Sequence, residues 1–180
     1  LLRGNLNGTE VIFLPRHGTG HKIPPHKINY KANAWAVMEA KATGVISVAA
    51  VGGITKGLKP GTIIIPDQII DYTYDREHTF FDGINGKVEH IDFTHPYSSN
   101  LREQVFNSAT SANISVKKNG VYGVTQGPRL ETRAEINRME NDGVDVVGMT
   151  AMPEASLFRE LNIPYVAINI VVNWAAGKGD

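Results

Sequence analysis

Short apolar runs alternate along the chain with alanine-rich or amphipathic stretches. Residues 11–14, Val-Ile-Phe-Leu, read as a buried strand closed by Pro15. Residues 32–42 are rich in helix formers and stop at Gly44, a candidate left-handed cap. Residues 45–51 then read as a buried strand running into Gly52-Gly53, and residues 62–65 as another strand behind Pro60-Gly61. From about Tyr72 to Pro96, aromatics, histidines and acids follow no period, which predicts an irregular excursion and a candidate interface segment. Asn100 and Glu103 have N-cap and N3 spacing, with Leu101, Val105, Ala109 and Ala112 on one helical face behind them.

The stretch that organises the rest is Thr125-Gln126-Gly127-Pro128-Arg129-Leu130-Glu131-Thr132-Arg133-Ala134-Glu135. A short strand, Gly120-Val121-Tyr122-Gly123-Val124, precedes it, and Gly127-Pro128 breaks that strand. Thr132 and Glu135 have capping-box spacing, so a helix is expected from Arg133. Residues 144–147 predict a strand, a helix follows Pro153, and residues 165–172 form a long apolar strand that delivers Asn173. Alternating strands and helices, with runs too apolar for a one-sided sheet, predict an α/β fold with a sheet covered on both faces. No repeat or linker interrupts the chain, so residues 1–180 read as a single domain.

Composition narrows the chemistry. The 180 residues carry a formal net charge of zero, which gives no nucleic-acid or acidic-membrane footprint. The absence of cysteine removes disulfide frameworks and thiolate metal sites and leans towards a cytoplasmic setting. No run approaches the roughly 18 apolar residues of a membrane span. Gly18-Thr19-Gly20 lacks the third glycine of a dinucleotide fingerprint, since Ile23 stands there, and neither a Walker A nor a Gly-x-Ser-x-Gly sequence occurs. His17, His21 and His26 have neither metal-ligand spacing nor nearby carboxylates.

Polar features remain at predicted strand ends: Arg16-His17, the backbone around Ala50 and Gly52-Gly53, Glu131, Met149-Thr150 and Asn173. Ligand groups converge at strand carboxyl ends in open α/β sheets, and an arginine fork, backbone N–H groups and a threonine hydroxyl suit an anion. Each also has a plain alternative: Arg16 as a surface ion pair, Gly52-Gly53 as a turn, Asn173 as a strand-end cap.

The combination resembles the trimeric purine nucleoside phosphorylase and methylthioadenosine phosphorylase family. The similarity runs through Leu14-Pro15-Arg16-His17-Gly18, residues 26–33, Gly52-Gly53-Ile54, Lys59-Pro60-Gly61-Thr62-Ile63, residues 127–135 and Gly148-Met149-Thr150-Ala151-Met152-Pro153-Glu154. It implies a single-domain nucleoside phosphorylase-like fold, with a mixed central sheet flanked by helices. The family's N-terminal phosphate loop and C-terminal helix are expected to lie outside the 180 residues. The implied reaction is phosphorolysis of a purine nucleoside, with inorganic phosphate as co-substrate and neither metal nor organic cofactor. The resemblance also implies a homotrimer without nucleic-acid or membrane partners.

By position, Arg16, His17, Thr150 and the backbone at Ala50 would hold phosphate. Met149 would pack on the ribose, with Leu130 beside the substrate. Glu131 and Asn173 would face the base, and His90 would reach a neighbouring subunit's 5′ pocket. His17, Glu131 and Asn173 form the expected catalytic set. Ala49 departs from the family, which often has threonine or asparagine there.

The base-facing residues discriminate between purines. Asn173-Trp174-Ala175 replaces the Asp-x-Asp pair of methylthioadenosine phosphorylases. A 6-oxopurine offers N1–H to a carboxylate and O6 to an amide, whereas adenine offers a lone pair at N1. The expected substrate is therefore 5′-methylthioinosine, inosine or guanosine, with adenine release from methylthioadenosine as the alternative. A nucleosidase using water, or a non-catalytic nucleoside-binding relative, would be the other classes.

Overall fold

The computed structural model describes residues 1–84 and 86–179. Its strands are β1 (Leu2–Leu6), β2 (Thr9–Phe13), β3 (Val45–Gly53), β4 (Ile63–Ile64), β5 (Gln68–Asp71), β6 (Val116–Lys117), β7 (Val121–Val124), β8 (Val146–Gly148) and β9 (Tyr165–Trp174). The helices are α1 (Tyr30–Glu39), α2 (Ser99–Ser111), α3 (Arg133–Asn141) and α4 (Ala151–Glu160).

Strands β3 to β9 form one mixed seven-stranded sheet in the order β5-β7-β8-β3-β9-β4-β6. The long central pair β3 and β9 is parallel, whereas β8 and β4 run antiparallel to it. Mixed direction was not legible from the alternation of elements alone. Short strands β5 and β6 were also missed, since neither carries enough apolar residues to form a period.

The apolar run at 11–14 is not a buried strand. Strand β2 pairs only with β1, in a separate ribbon, and Phe13 is 63% exposed. Asn7 and Gly8 both have positive φ, 50° and 86°, the arrangement of a type I′ hairpin turn. That Asn-Gly pair between two strand-forming runs was the available signal. Among the described residues, no layer covers this ribbon, and its apolar side chains stay outside the core.

Helix boundaries follow their caps. Thr132 accepts the Glu135 N–H at 3.2 Å, and the Glu135 carboxylate accepts the Thr132 N–H at 2.7 Å, so the predicted capping box starts α3. Helix α2 is capped by Ser98 rather than Asn100, because its hydroxyl accepts the Leu101 N–H at 3.3 Å. Helix α1 ends at Glu39, where Lys41 turns to φ 58°, short of Gly44.

Helices α1 and α4 pack against the centre of the sheet. Ala34, Ala155, Leu157, Val124 and Val51 all belong to this main core. A smaller apolar cluster joins α3 to Ile54, Val144, Val147 and Ala175. The opposite face of β3 and β9 is open: Ile46, Val48 and Val172 are more than half exposed. Coverage on both faces, expected from the apolar runs, therefore fails on this central pair. That open face borders the large cavity described below.

Among the described residues, 72–96 form neither helix nor strand, as the broken pattern predicts. The excursion is held by side chains. Glu160 of α4 accepts the Thr79 hydroxyl at 2.6 Å and the Phe80 N–H at 2.7 Å.

Candidate active site

Arg16 follows β2 and inserts its guanidinium between β3 and α4. One terminal N–H donates to a Glu154 oxygen at 3.1 Å, and Nε stands 3.1 Å from the other oxygen as an ion-pair contact. Another N–H donates to Ser47 Oγ at 2.6 Å, and the second terminal nitrogen donates to Thr150 Oγ1 at 3.0 Å. A longer contact of 3.4 Å reaches the Val48 carbonyl. These partners take four hydrogen bonds from the two terminal nitrogens, and Nε adds the ion-pair contact. Burial penalises the Arg16 charge, but Glu154 and nearby tyrosines outweigh it and raise the pKa above its ordinary value. Thr150 accepts from Arg16, so its own hydroxyl hydrogen can be presented to an anion.

His17 sits on the loop that follows Arg16. Its Nδ1–H donates to the Ile23 carbonyl at 2.9 Å, and its ring stacks on His21 at 4.2 Å between centroids. Burial pushes the His17 pKa below the usual imidazole value. The hydrogen bond to the Ile23 carbonyl opposes this, while neighbouring His21 and the Arg16 charge act in the same direction as burial.

At the end of β7, Thr125 donates its hydroxyl to Glu131 Oε1 at 2.7 Å. Glu131 is half-buried, while its neighbour Leu130 is 73% exposed. Gly127 has φ +62°, and a Cβ there would stand 2.4 Å from the Met149 sulfur. Only glycine lets the loop carrying Glu131 approach Met149 this closely.

On β9, the register against β3 slips between Val51 and Gly52. Val51 pairs with Val171, but Gly52 pairs with Asn173, which leaves Val172 as an extra residue. Such a bulge reverses the alternation of side chains. Val171 is buried, so an unbroken strand would send Asn173 to the same packed side. With the bulge, Asn173 is exposed, and its amide donates to the Trp174 carbonyl at 2.6 Å.

These groups share one space. A cavity of about 1200 Å³ is lined by Arg16, His17, Ala50, Leu130, Glu131, Met149, Thr150 and Asn173. Every residue given a binding or catalytic role from the sequence lines it except His90, which is exposed and lies apart from this chain's cavity. A second cavity of about 410 Å³, between Tyr72, Tyr74 and Arg129, lies beyond Glu131, which borders both.

The convergence differs from the expected edge of strand carboxyl ends. Strands β7 and β8 oppose β3 and β9 in direction. They are short, three or four residues against nine or ten, and run back from Gly53, the end of β3, so that Gly148 and Val124 end within its last third. Their loops therefore open over β3 rather than beyond its end.

Four contributing residues were not assigned a role from the sequence: Ser47, Arg76, Thr125 and Glu154. Ser47 was legible as the one polar residue in an apolar strand, and Glu154 closed a motif already in view. Arg76 is almost fully buried and donates to the carbonyls of Met149 (2.8 Å), Thr125 (3.2 Å) and Gln126 (2.8 Å), and to that of Met152. It also donates to the Tyr30 hydroxyl at 3.2 Å. Nothing in its local sequence distinguished it from a surface arginine. Among the described residues, no three His, Asp or Glu side chains gather closely enough to hold a metal ion.

A buried Arg16–Glu154–Thr150 cluster and a wall of carboxylate and amide line one cavity along a mixed α/β sheet, an arrangement suited to an enzyme site for a small molecule. The chain belongs to the Phosphorylase superfamily, whose family model matches residues 1–180. It is 51% identical over 177 residues to a probable S-methyl-5′-thioinosine phosphorylase of Xanthomonas campestris, covering 98% of this chain and 71% of that protein. It is 46% identical over 179 residues to the 6-oxopurine nucleoside phosphorylase of Pyrococcus furiosus, covering 97% and 68%. The methylthioadenosine phosphorylase of Schistosoma mansoni, without ligand, superposes with a TM-score of 0.93 at 30% identity, over 98% of this chain and 69% of that one. Among the described residues, no helix is long and apolar enough to cross a membrane.

Proposed function

We propose that this protein catalyses phosphorolysis of a 6-oxopurine nucleoside, 5′-methylthioinosine or inosine and guanosine, to the free base and a ribose 1-phosphate. The observation that carries the reading is that Glu131 and Asn173 line the same cavity as Arg16 and Thr150. The names of the relatives from Xanthomonas and Pyrococcus support it.

In this reading, phosphate sits against Arg16, His17, Thr150 and the backbone at Ala50. One of its oxygens attacks C1′, and the C1′–N9 bond breaks with its electron pair passing into the purine. Met149 packs against the ribose, and Leu130 closes the mouth of the pocket. Glu131 accepts from N1–H. The Asn173 amide turns from the Trp174 carbonyl to donate to O6 or N7, where it binds the charge that grows as the base departs. Because Arg16 spends its hydrogen bonds on protein groups, its contribution is chiefly a fixed positive charge and an oriented Thr150 hydroxyl. The reaction requires neither metal nor organic cofactor. By resemblance the working form is a cytoplasmic homotrimer, with His90 serving a neighbouring subunit.

Adenine release is the second reading, favoured by the structural likeness to a methylthioadenosine phosphorylase. The Asn173-Trp174-Ala175 sequence weighs against it, since no carboxylate is available there for the exocyclic amine. Purine release is measured from inosine, methylthioinosine and methylthioadenosine, with and without phosphate. Phosphate-dependent release of hypoxanthine is expected. Release without phosphate would identify a nucleosidase, and preferential adenine release would establish the second reading.

A further inference from the structure

We propose that Thr125 is a specificity-determining positioning residue, which fixes the base-reading carboxylate of Glu131 in the orientation that accepts from a 6-oxopurine. This deepens the functional reading above and rests on it.

Glu131 lies on a loop containing Gly127 and Pro128, next to the exposed Leu130, and it separates two cavities. A glutamate so placed has several rotamers open to it. Among the described residues, its carboxylate has one side-chain or backbone donor, Thr125 Oγ1 at 2.7 Å, and forms no ion pair within 4.0 Å. The Thr125 hydroxyl has a single hydrogen and two acceptors in reach. Glu131 Oε1 is the nearer, while the Gly148 carbonyl stands at 3.3 Å and already accepts the Thr125 N–H at 2.8 Å.

Thr125 is itself immobilised. It is buried, its N–H is bonded to Gly148 at the end of β8, and its carbonyl accepts from Arg76 at 3.2 Å. Its branched Cβ restricts χ1 further. The hydroxyl therefore transfers the rigidity of the sheet to a carboxylate carried on a loop. With Oε1 committed to Thr125, Oε2 is the oxygen left for the ligand. An ionised carboxylate is acceptor-only. That form pairs with N1–H of a 6-oxopurine and opposes the N1 lone pair of adenine.

The test compares wild type, Thr125→Val and Thr125→Ser in phosphorolysis of inosine-type and adenosine-type nucleosides. Valine keeps the shape and removes the hydroxyl, whereas serine restores it. Hydrogen bonds to charged groups contribute about 1.5–3 kcal/mol, so T125V should lose at least roughly tenfold in 6-oxopurine kcat/KM. The loss should fall on the nucleoside KM, and the preference over adenine nucleosides should narrow. The phosphate KM should stay within about twofold, and T125S should recover most of the preference. Thr125→Ala is the second variant if T125V does not fold.

A wild type selective for 6-oxopurines, with T125V equally selective, would overturn this inference alone. So would parallel rises in both KM values. A wild type that prefers adenine nucleosides would overturn the functional reading and this inference with it.

Discussion

Replacing Glu154 by glutamine isolates the electrostatics of the anion cluster. Arg16 and Glu154 are joined by two contacts of 3.1 Å, with side-chain exposures of 13% and 8%. Glu154 also accepts the buried Tyr165 hydroxyl at 2.8 Å. Glutamine preserves volume and one acceptor oxygen but leaves Arg16 buried without its counter-charge. Removing one partner of a buried pair costs about 3–5 kcal/mol, and the retained acceptor puts E154Q near the lower end. In a domain of this size each kcal/mol moves the melting temperature by about 2–4 °C. The variant should therefore melt roughly 6–12 °C lower. Phosphate supplies the sharper readout. If the anion binds beside Arg16, it becomes the missing counter-charge, and saturating phosphate should raise the melting temperature of E154Q more than that of wild type. Thermal melting of both proteins across a phosphate series measures both effects. A loss under about 2 °C would refute the buried-pair argument. Equal phosphate shifts in the two proteins would refute the placement of phosphate at Arg16.

Asn173→Asp should depress 6-oxopurine turnover by at least about tenfold and shift relative preference towards adenine nucleosides, read from base release. Unchanged preference would show that Asn173 does not face the base. Arg76→Met should leave several carbonyls without their donor, lowering stability by about 3 kcal/mol and reducing turnover, checked by melting and steady-state kinetics. For His17, burial lowers the folded pKa below the ordinary 6.5. The unfolded chain therefore binds the proton first, so stability falls as pH drops below 6.5 and levels off once folded His17 is also protonated. His17→Gln should flatten that part of a melting-versus-pH curve; an unchanged slope would assign it to other groups.

Much of the frame was legible because local chemistry decided it. The Thr132–Glu135 capping box is a contact three residues long, and the sequence encodes both halves. The apolar runs that became β3, β7, β8 and β9 needed only burial to declare themselves. Strand direction is different. Whether β8 lies parallel or antiparallel to β3 depends on which long connection crosses which face, and no residue of either strand records that. The expectation of a covered sheet failed for a related reason. An apolar residue such as Val48 reads as buried in any sequence, yet it stands on a face bordering the site cavity.

The site divides along the same line, and Asn173 shows why. Its type and place at the end of a strand were visible, but its direction depends on Val172, the extra residue in the register with β3. A one-residue bulge changes no composition and little apparent periodicity at a strand terminus, yet it decides whether the amide enters the core or the cavity. Arg16 shows the converse. Its charge and phosphate geometry were readable, but its two terminal nitrogens are engaged by Ser47, Val48, Thr150 and Glu154, residues 31 to 138 positions away. A fork that looked free in sequence is a fixed charge in the fold. In the proposed reaction, phosphate would then be held by the groups Arg16 organises, above all the Thr150 hydroxyl, as much as by the guanidinium.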